Sequence, residues 1–250
     1  TLHRTPDGAR TAFRGDLDAD GDYAVSLVGA DGSGFVTINS TGTQGQFDWA
    51  PGGARLALLT DSLSNGQFHC FSILPDGTGL SDLSDLLLGA NSGASTVNDF
   101  AWSADGAVAA FRADREVNER FDLFTVAAAG GTVTNVSLVP SGADVSDYAW
   151  APSAALVAYR RDDAVSHVPE LWVVLASGVG NTQLVDDDGV AGVTQFAWSP
   201  DGNRIAYTAD HALNNAQDLF VVAVLGPAPA DPQVSEGLLP FQGVHQLAWS

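Results

Sequence analysis

The chain has 250 residues, with ten basic side chains against thirty acidic ones, a formal net charge of −20 and a pI near 4.1. That balance excludes nucleic acid and anionic membrane as partners, because phosphate binding needs a basic footprint, and a hydrophobic content of 45% excludes a disordered acidic chain. No apolar run approaches the roughly 18 residues that span a bilayer; the longest, Leu219 to Gly226, reads as a buried strand.

Every basic residue is Arg, and Met is absent. The expectation is a mature product, a processed piece or an excised segment, of GC-rich bacterial origin by composition. The single Cys70 excludes an internal disulfide and is expected to be buried and inert.

In chain order, the first element is a strand leading to Arg4, followed by Thr5-Pro6-Asp7-Gly8. Pro presets φ and Gly accepts positive φ, so this stretch predicts a tight turn into a second strand. That strand ends near Asp16, where Asp16-Leu17-Asp18-Ala19-Asp20-Gly21-Asp22 begins. Alternating carboxylates around a Gly suit a hard cation such as Ca²⁺, which takes six to eight oxygens from a sharp loop. Asp16, Asp18, Asp20 and Asp22 are the candidate ligands. An EF-hand would place Glu where Leu27 stands, so the loop is not one; a solvated acidic turn with Asx caps is the other reading.

The turn phrase then returns. It reads Phe47-Asp48-Trp49-Ala50-Pro51-Gly52-Gly53, Phe100-Ala101-Trp102-Ser103-Ala104-Asp105-Gly106, Tyr148-Ala149-Trp150-Ala151-Pro152 and Phe196-Ala197-Trp198-Ser199-Pro200-Asp201-Gly202, and the chain ends on Leu247-Ala248-Trp249-Ser250. The Trp spacings are 53, 48, 48 and 51. Twelve positions after each of the first four Trp stands Asp61, Asp114, Asp162 or Asp210; Asp16 stands twelve after Arg4, so Arg4 holds the Trp phase of a first repeat. Nine further on, Cys70, Leu123, Leu171 and Leu219 open a third strand of the Leu-Phe-Val-Val type. A Gly-rich turn, as at 75–77 or 130–131, and a fourth strand of the 133–137 type complete each unit. Alternation and β-branched enrichment favour strands throughout.

Four-stranded units near 50 residues, repeated, predict an all-β fold: a β-propeller of antiparallel blades in one domain over 1–250. The repeats run about 1–46, 47–99, 100–147, 148–195 and 196–246. Residues 247–250 either close a five-bladed ring on the first blade or open a further blade. One such sheet cannot bury both faces alone, so the Trp and aromatic side chains of strands one and three are expected between blades.

The motif 196–207, followed by Asp218-Leu219-Phe220-Val221-Val222, resembles the PD40 repeat of TolB-like propellers, WD40-like units of bacterial periplasmic and surface proteins. The resemblance covers essentially the whole chain. It implies a protein-binding platform, usually of six or more blades, in an extracytoplasmic setting. At this place in the repeat Pro-Asp-Gly stands only at 6–8 and 200–202, and nothing matches the small α/β domain ahead of the TolB propeller, so a TolB-specific partner does not follow.

The phased Asp residues should lie on one face together with Asp186-Asp187-Asp188, each hydrogen-bonding the backbone of its own loop. Asp122, Glu170 and Asp218 begin strand three and are expected in blade-to-blade or solvent contacts. His3, His69, His167, His211 and His245 fall in five different phases, which argues against a histidine metal site. No G-x-S-x-G, P-loop, Rossmann or C-x-x-C pattern occurs. The function expected is a non-catalytic protein-binding or scaffold module, its partner carrying a basic surface. The alternatives are a substrate-filtering propeller of a larger enzyme such as a serine peptidase, and a ring that is itself a lyase or hydrolase using axial carboxylates or a metal.

Overall fold

Successive short segments of alternating apolar residues, each closed by a Gly-bearing turn, pair with their immediate neighbours. The computed structural model describes residues 1–16, 23–38, 44–61, 63, 66–85, 95–153, 155–162, 168–185, 192–209 and 217–224. Among them there is no α-helix, and every sheet is antiparallel with its strands in chain order. The first contains β1 (Leu2–Arg4), β2 (Arg10–Asp16), β3 (Tyr23–Gly29) and β4 (Val36–Ile38). The second contains β5 (Gln44–Trp49), β6 (Leu56–Thr60), β7 (His69–Ile73) and β8 (Ser81–Asp82). The third contains β9 (Val97–Trp102), β10 (Val108–Val117), β11 (Arg120–Ala127) and β12 (Thr134–Asn135). The fourth contains β13 (Val145–Trp150), β14 (Leu156–Asp162), β15 (Pro169–Leu175) and β16 (Thr182–Val185). The fifth shows β17 (Gln195–Trp198), β18 (Arg204–Ala209) and β19 (Asp218–Ala223). These sheets are the blades of a β-propeller, five repeats in this chain. The blades fall into two compact units, Thr1–Asn135 and Val136–Ser250.

The register repeats from blade to blade. Arg4 pairs with Thr11, Trp49 with Leu56, Trp102 with Ala109, Trp150 with Val157 and Trp198 with Ile205. Arg4 therefore occupies the Trp position, and Leu2–Arg4 fills the inner place of blade one. Residues 247–250, whose role the sequence leaves open, lie outside the described residues.

The turn between strands one and two explains the Ser/Thr-x-Asp-Gly phrase. In blade five, Ser199 Oγ donates to Asp201 Oδ1 at 2.6 Å, and the Asn203 N–H donates to the same oxygen at 3.0 Å. The Arg204 N–H donates to Ser199 Oγ at 3.0 Å, while Gly202 supplies a φ of +70°. Thr5 with Asp7 and Ser103 with Asp105 build the same box. Where the Asp is missing, the backbone alone holds the turn, as in Ala50 N–H to Arg55 O at 2.8 Å.

These hydrogen bonds set the acid response. The Ser199 hydroxyl, then the Asn203 backbone and side chain, push the Asp201 carboxyl down to about 2. The Thr5 and Ser103 hydroxyls likewise hold Asp7 and Asp105 below the ordinary carboxylate range. A carboxyl depressed in the folded chain contributes stability that is present above its unfolded pKa and is lost as pH falls through the folded one. The melting temperature of the native chain is therefore expected to fall more steeply between about pH 4 and pH 2 than that of the Asp7→Asn/Asp105→Asn/Asp201→Asn variant. Parallel slopes would contradict it.

Within each unit, neighbouring blades bury their facing sides against one another. One buried cluster joins Ala12, Val25, Leu27 and Ile38 of blade one to Phe47, Trp49, Leu56, Leu58, Phe71 and Ile73 of blade two. A second joins Ala57, Leu59, Cys70 and Leu83 of blade two to Val97, Phe100, Phe111, Phe124 and Val126 of blade three. In the second unit, Ala158, Leu171, Val173 and Val185 of blade four meet Trp198, Ile205, Tyr207 and Phe220 of blade five. The indoles add directional ties between inner strands. Trp49 Nε1 donates to His3 O at 3.1 Å, Trp102 Nε1 to Asp48 O at 3.2 Å and Trp198 Nε1 to Ala149 O at 3.0 Å. Trp49 and Trp198 are buried as expected; Trp102 and Trp150 are half-buried.

Eight positions after each Trp phase stands an Ala: Ala12, Ala57, Ala110, Ala158 and Ala206, all buried. Nine positions after stands a bulky residue: Phe13, Leu58, Phe111, Tyr159 or Tyr207. Small and large side chains thus meet between blades, Ala57 sharing a cluster with Phe111 and Ala158 with Tyr207. Ala158→Leu forces three extra carbons against Tyr207 and is expected to cost about 1–3 kcal/mol by overpacking. Chemical denaturation would read this as a lower midpoint; an unchanged midpoint would show that the seam has room.

Candidate functional site

Antiparallel blades put the turns between strands one and two at one end and the connections between strands two and three at the other. Neighbouring blades of the first unit share these ends. Gly53 of blade two packs its turn on Thr5 and Pro6 of blade one, and Gly106 of blade three packs on Ala50 and Pro51 of blade two. At the other end, the blade-two connection bonds directly to blade three: the Phe68 N–H donates to Thr96 Oγ1 at 3.0 Å, and the Val97 N–H to Phe68 O at 2.8 Å. This second end carries the phased carboxylates.

The phased Asp side chains of blades two and three are turned inward. Asp61 accepts the Gly66 N–H at 3.0 Å, closing its own loop. Asp114 accepts the Glu119 N–H at 3.2 Å in its own loop and the Thr96 N–H at 2.6 Å at the entry to β9. Both are about 4% exposed, so they organise loops rather than present charge. Asp16 ends β2 and is exposed, and Asp162 ends β14. Asp18, Asp20, Asp22, Asp210 and Asp186–Asp188 lie outside the described residues, and so do His167, His211 and His245.

Of the acidic positions that open strand three, expected in blade-to-blade or solvent contacts, Asp122 and Asp218 are buried away from solvent and Glu170 bonds within its own blade. Asp122 is fully buried and is held within its own blade by Arg120, whose Nη2 lies at 2.8 Å. Glu170 accepts from Trp172 Nε1 and from Gln183 Nε2, each at 2.9 Å, beside Arg161. Asp218 is buried at 5% exposure. His69, in the same place in blade two, faces Asp82 at 3.3 Å. Strand three is buried on both faces, so a charge at its start needs a partner close by. His3 Nδ1 lies 2.9 Å from Asp48 Oδ1, bridging the inner strands of blades one and two. Cys70 is fully buried, and that burial pushes its thiol well above the usual range, as expected of an inert core cysteine.

The arginines, which the sequence reading left without roles, follow the repeat as well. At the sixth position after the Trp phase, Arg10 Nη1 donates to Gly34 O at 2.9 Å and Arg55 Nη2 to Gly79 O at 2.6 Å, each pinning the turn between strands three and four. At the tenth, Arg112 pairs with Asp99 and Arg160 donates to Thr194 O. Arg115 faces Asp85, and Arg14 lies over the Tyr23 ring. Most of the arginines contact other groups of the chain, Arg4 and Arg204 being exposed, and with thirty acidic side chains against ten basic ones the outer field is negative. Among the described residues, no group of three or more His, Cys, Asp or Glu side chains is placed to hold a metal ion, and no helix is long and apolar enough to cross a membrane.

No family model and no curated protein matches the sequence. Solved structures do. A TolB-designated protein from Agrobacterium tumefaciens is similar at a TM-score of 0.51 and 14% identity, over 92% of this chain and 78% of that one. The β-propeller domain of the Trilobed protease from Pyrococcus furiosus, described as having an open velcro topology, is similar at a TM-score of 0.54 and 10% identity, over 95% and 71%. Oligopeptidase B from Leishmania major is similar at a TM-score of 0.60 and 14% identity, over 90% of this chain and 31% of that one. The chain thus spans about a third of the peptidase's length. At such identities the likeness speaks for the fold alone.

Proposed function

Proceeding from a TolB-like β-propeller fold, we propose that this chain is a protein-binding or scaffold module of a bacterial extracytoplasmic or surface protein, whose partner carries a basic surface. The observation that carries the reading is the disposition of charge: the chain has thirty acidic side chains against ten arginines, and seven of those arginines donate to, or pair with, other groups of the same chain. A surface left so negative attracts cationic partners and repels acidic ones. The extracytoplasmic part of the reading rests on the resemblance of the 196–207 motif to the repeats of bacterial periplasmic and surface proteins.

The test is partner capture from the source bacterium at low and high salt. The expected result is a basic partner that is lost as salt screens the field and that Glu116→Lys/Glu119→Lys captures poorly. No partner, or one indifferent to both changes, would overturn the reading.

A second reading rests on the peptidase likeness. There the chain would be the substrate-filtering propeller of a larger enzyme, and a neighbouring G-x-S-x-G domain in the same reading frame would decide for it. We also propose the 16–22 loop as a Ca²⁺ site, with Asp16, Asp18, Asp20 and Asp22 as ligands. Calorimetric Ca²⁺ binding that Asp18→Ala abolishes would support it, and no binding would dismiss it.

A further inference from the structure

Blade one departs from the repeat at one cross-strand pair. The other blades set Trp49 beside Leu56, Trp102 beside Ala109, Trp150 beside Val157 and Trp198 beside Ile205. Blade one sets Arg4 beside Thr11. In blade two this side of the sheet, with Phe47, Trp49, Leu56, Leu58 and Ile73, is buried against blade one. The same side of blade one has no preceding blade within its unit. There Leu2 is 60% exposed, and so is 53% of Phe35, whose ring lies 6.3 Å from that of Phe13.

This side is concave. A cavity of about 500 Å³ is lined by Leu2, Arg4, Thr11, Phe13, Val28 and the turn that follows β3. That volume is in the range of small-molecule sites, which pair an apolar lining with a few placed polar groups. The polar groups here are unspent. Thr11 is only 9% exposed, yet among the described residues neither its hydroxyl nor the Arg4 guanidinium has a hydrogen-bond partner. The carboxylates of the adjoining turns, Asp7 and Asp31, accept instead from Thr5 and Ser33, each at 2.6 Å. At the Trp phase, Trp49, Trp102 and Trp198 each donate to a neighbouring inner strand's carbonyl. Arg4 keeps a donor at that place and adds a charge.

We propose that this cavity binds a small apolar monocarboxylate. Arg4 holds the carboxylate through paired N–H donors, the Thr11 hydroxyl donates to it, and Leu2, Phe13 and Val28 cover the apolar body. The negative field of the whole chain opposes any anion, so the attraction comes from Arg4 at close range. The ligand is of a different class from the basic partner proposed above.

The test titrates the whole chain with 3-phenylpropanoate, its uncharged amide and acetate, read by calorimetry. The phenylpropanoate is expected to saturate and to bind about tenfold tighter than the amide, and acetate not to bind. Arg4→Met, which keeps the apolar stem, should bring the acid down to the amide's level and leave the amide unchanged. Arg4→Lys, which keeps the charge but not the paired donors, should fall between. Leu2→Ser should weaken acid and amide alike, and Arg204→Met, at the other exposed arginine, should change neither. Each variant is checked for an unchanged melting temperature. No saturation by the phenylpropanoate, equal binding of acid and amide, full binding by Arg4→Met, or a matching loss in Arg204→Met would overturn the site. None of these results bears on the capture of a basic partner, which is read separately.

Discussion

Phe111→Ala is expected to destabilise the chain by about 3–5 kcal/mol. The ring is fully buried in β10 and stacks on Phe124 of β11, centroids 5.5 Å apart. It also shares a cluster with Ala57, Leu59, Cys70 and Leu83 of blade two, so it belongs to the seam and not only to its own sheet. Those neighbours are small or anchored on two-faced strands, and side-chain to backbone hydrogen bonds between β9 and blade two hold the blades at a fixed distance, Gln46 Nε2 donating to Phe100 O at 2.9 Å and Trp102 Nε1 to Asp48 O at 3.2 Å. The cavity therefore cannot collapse, which places the cost toward the upper part of the range. Urea denaturation should show a lower midpoint with an unchanged slope. Phe111→Leu, which refills most of the volume, should recover the larger part. A loss below about 1 kcal/mol for Phe111→Ala would show that the blades are not packed against each other as described.

Arg120→Met carries the second large effect, a loss of about 3 kcal/mol. Asp122 has no exposed surface, and Arg120 Nε and Nη2 both donate to its Oδ2, at 3.1 and 2.8 Å. Methionine keeps the apolar stem of the arginine but removes the countercharge, leaving a carboxylate in a dry site with less to offset its desolvation. If charge is the cause, neutralising the acid should repair it: Arg120→Met/Asp122→Asn is expected to recover at least half of the loss in the same urea assay. A double variant no better than the single one would assign the effect to lost packing of the arginine stem.

The strands, their turns and their repeat were legible because they rest on local chemistry. Pro6-Asp7-Gly8 and Pro200-Asp201-Gly202 encode their turns through one φ, one positive φ and one side-chain acceptor, all within a few residues. Arg4 could be placed at the Trp phase because Asp16 lies twelve residues on, and the pairing of Arg4 with Thr11 agrees. The repeating Ala at the eighth position and the arginines at the sixth and tenth were equally visible as phases, but their meaning was not. An Ala in a strand reads as ordinary core until the Phe or Tyr of the next blade is seen beside it. The capping of loops by Asp61 and Asp114 followed from residue type, whereas the inward placement of Asp122 and Glu170 did not, because a carboxylate at a strand start usually meets water.

Five repeats and the place of most strands could be read from the chain alone, since side-chain alternation and turn chemistry act over a dozen residues. Packing settled the rest: which faces of neighbouring blades meet within a unit, which carbonyl the Trp49, Trp102 and Trp198 indoles find some fifty residues away, and which charges are buried and which remain outside. In a blade buried on both faces the apolar pattern is the same on either side. The choice between sides is then made by how bulky and small residues interlock across the seam, and by the cost of leaving a charge there without a partner.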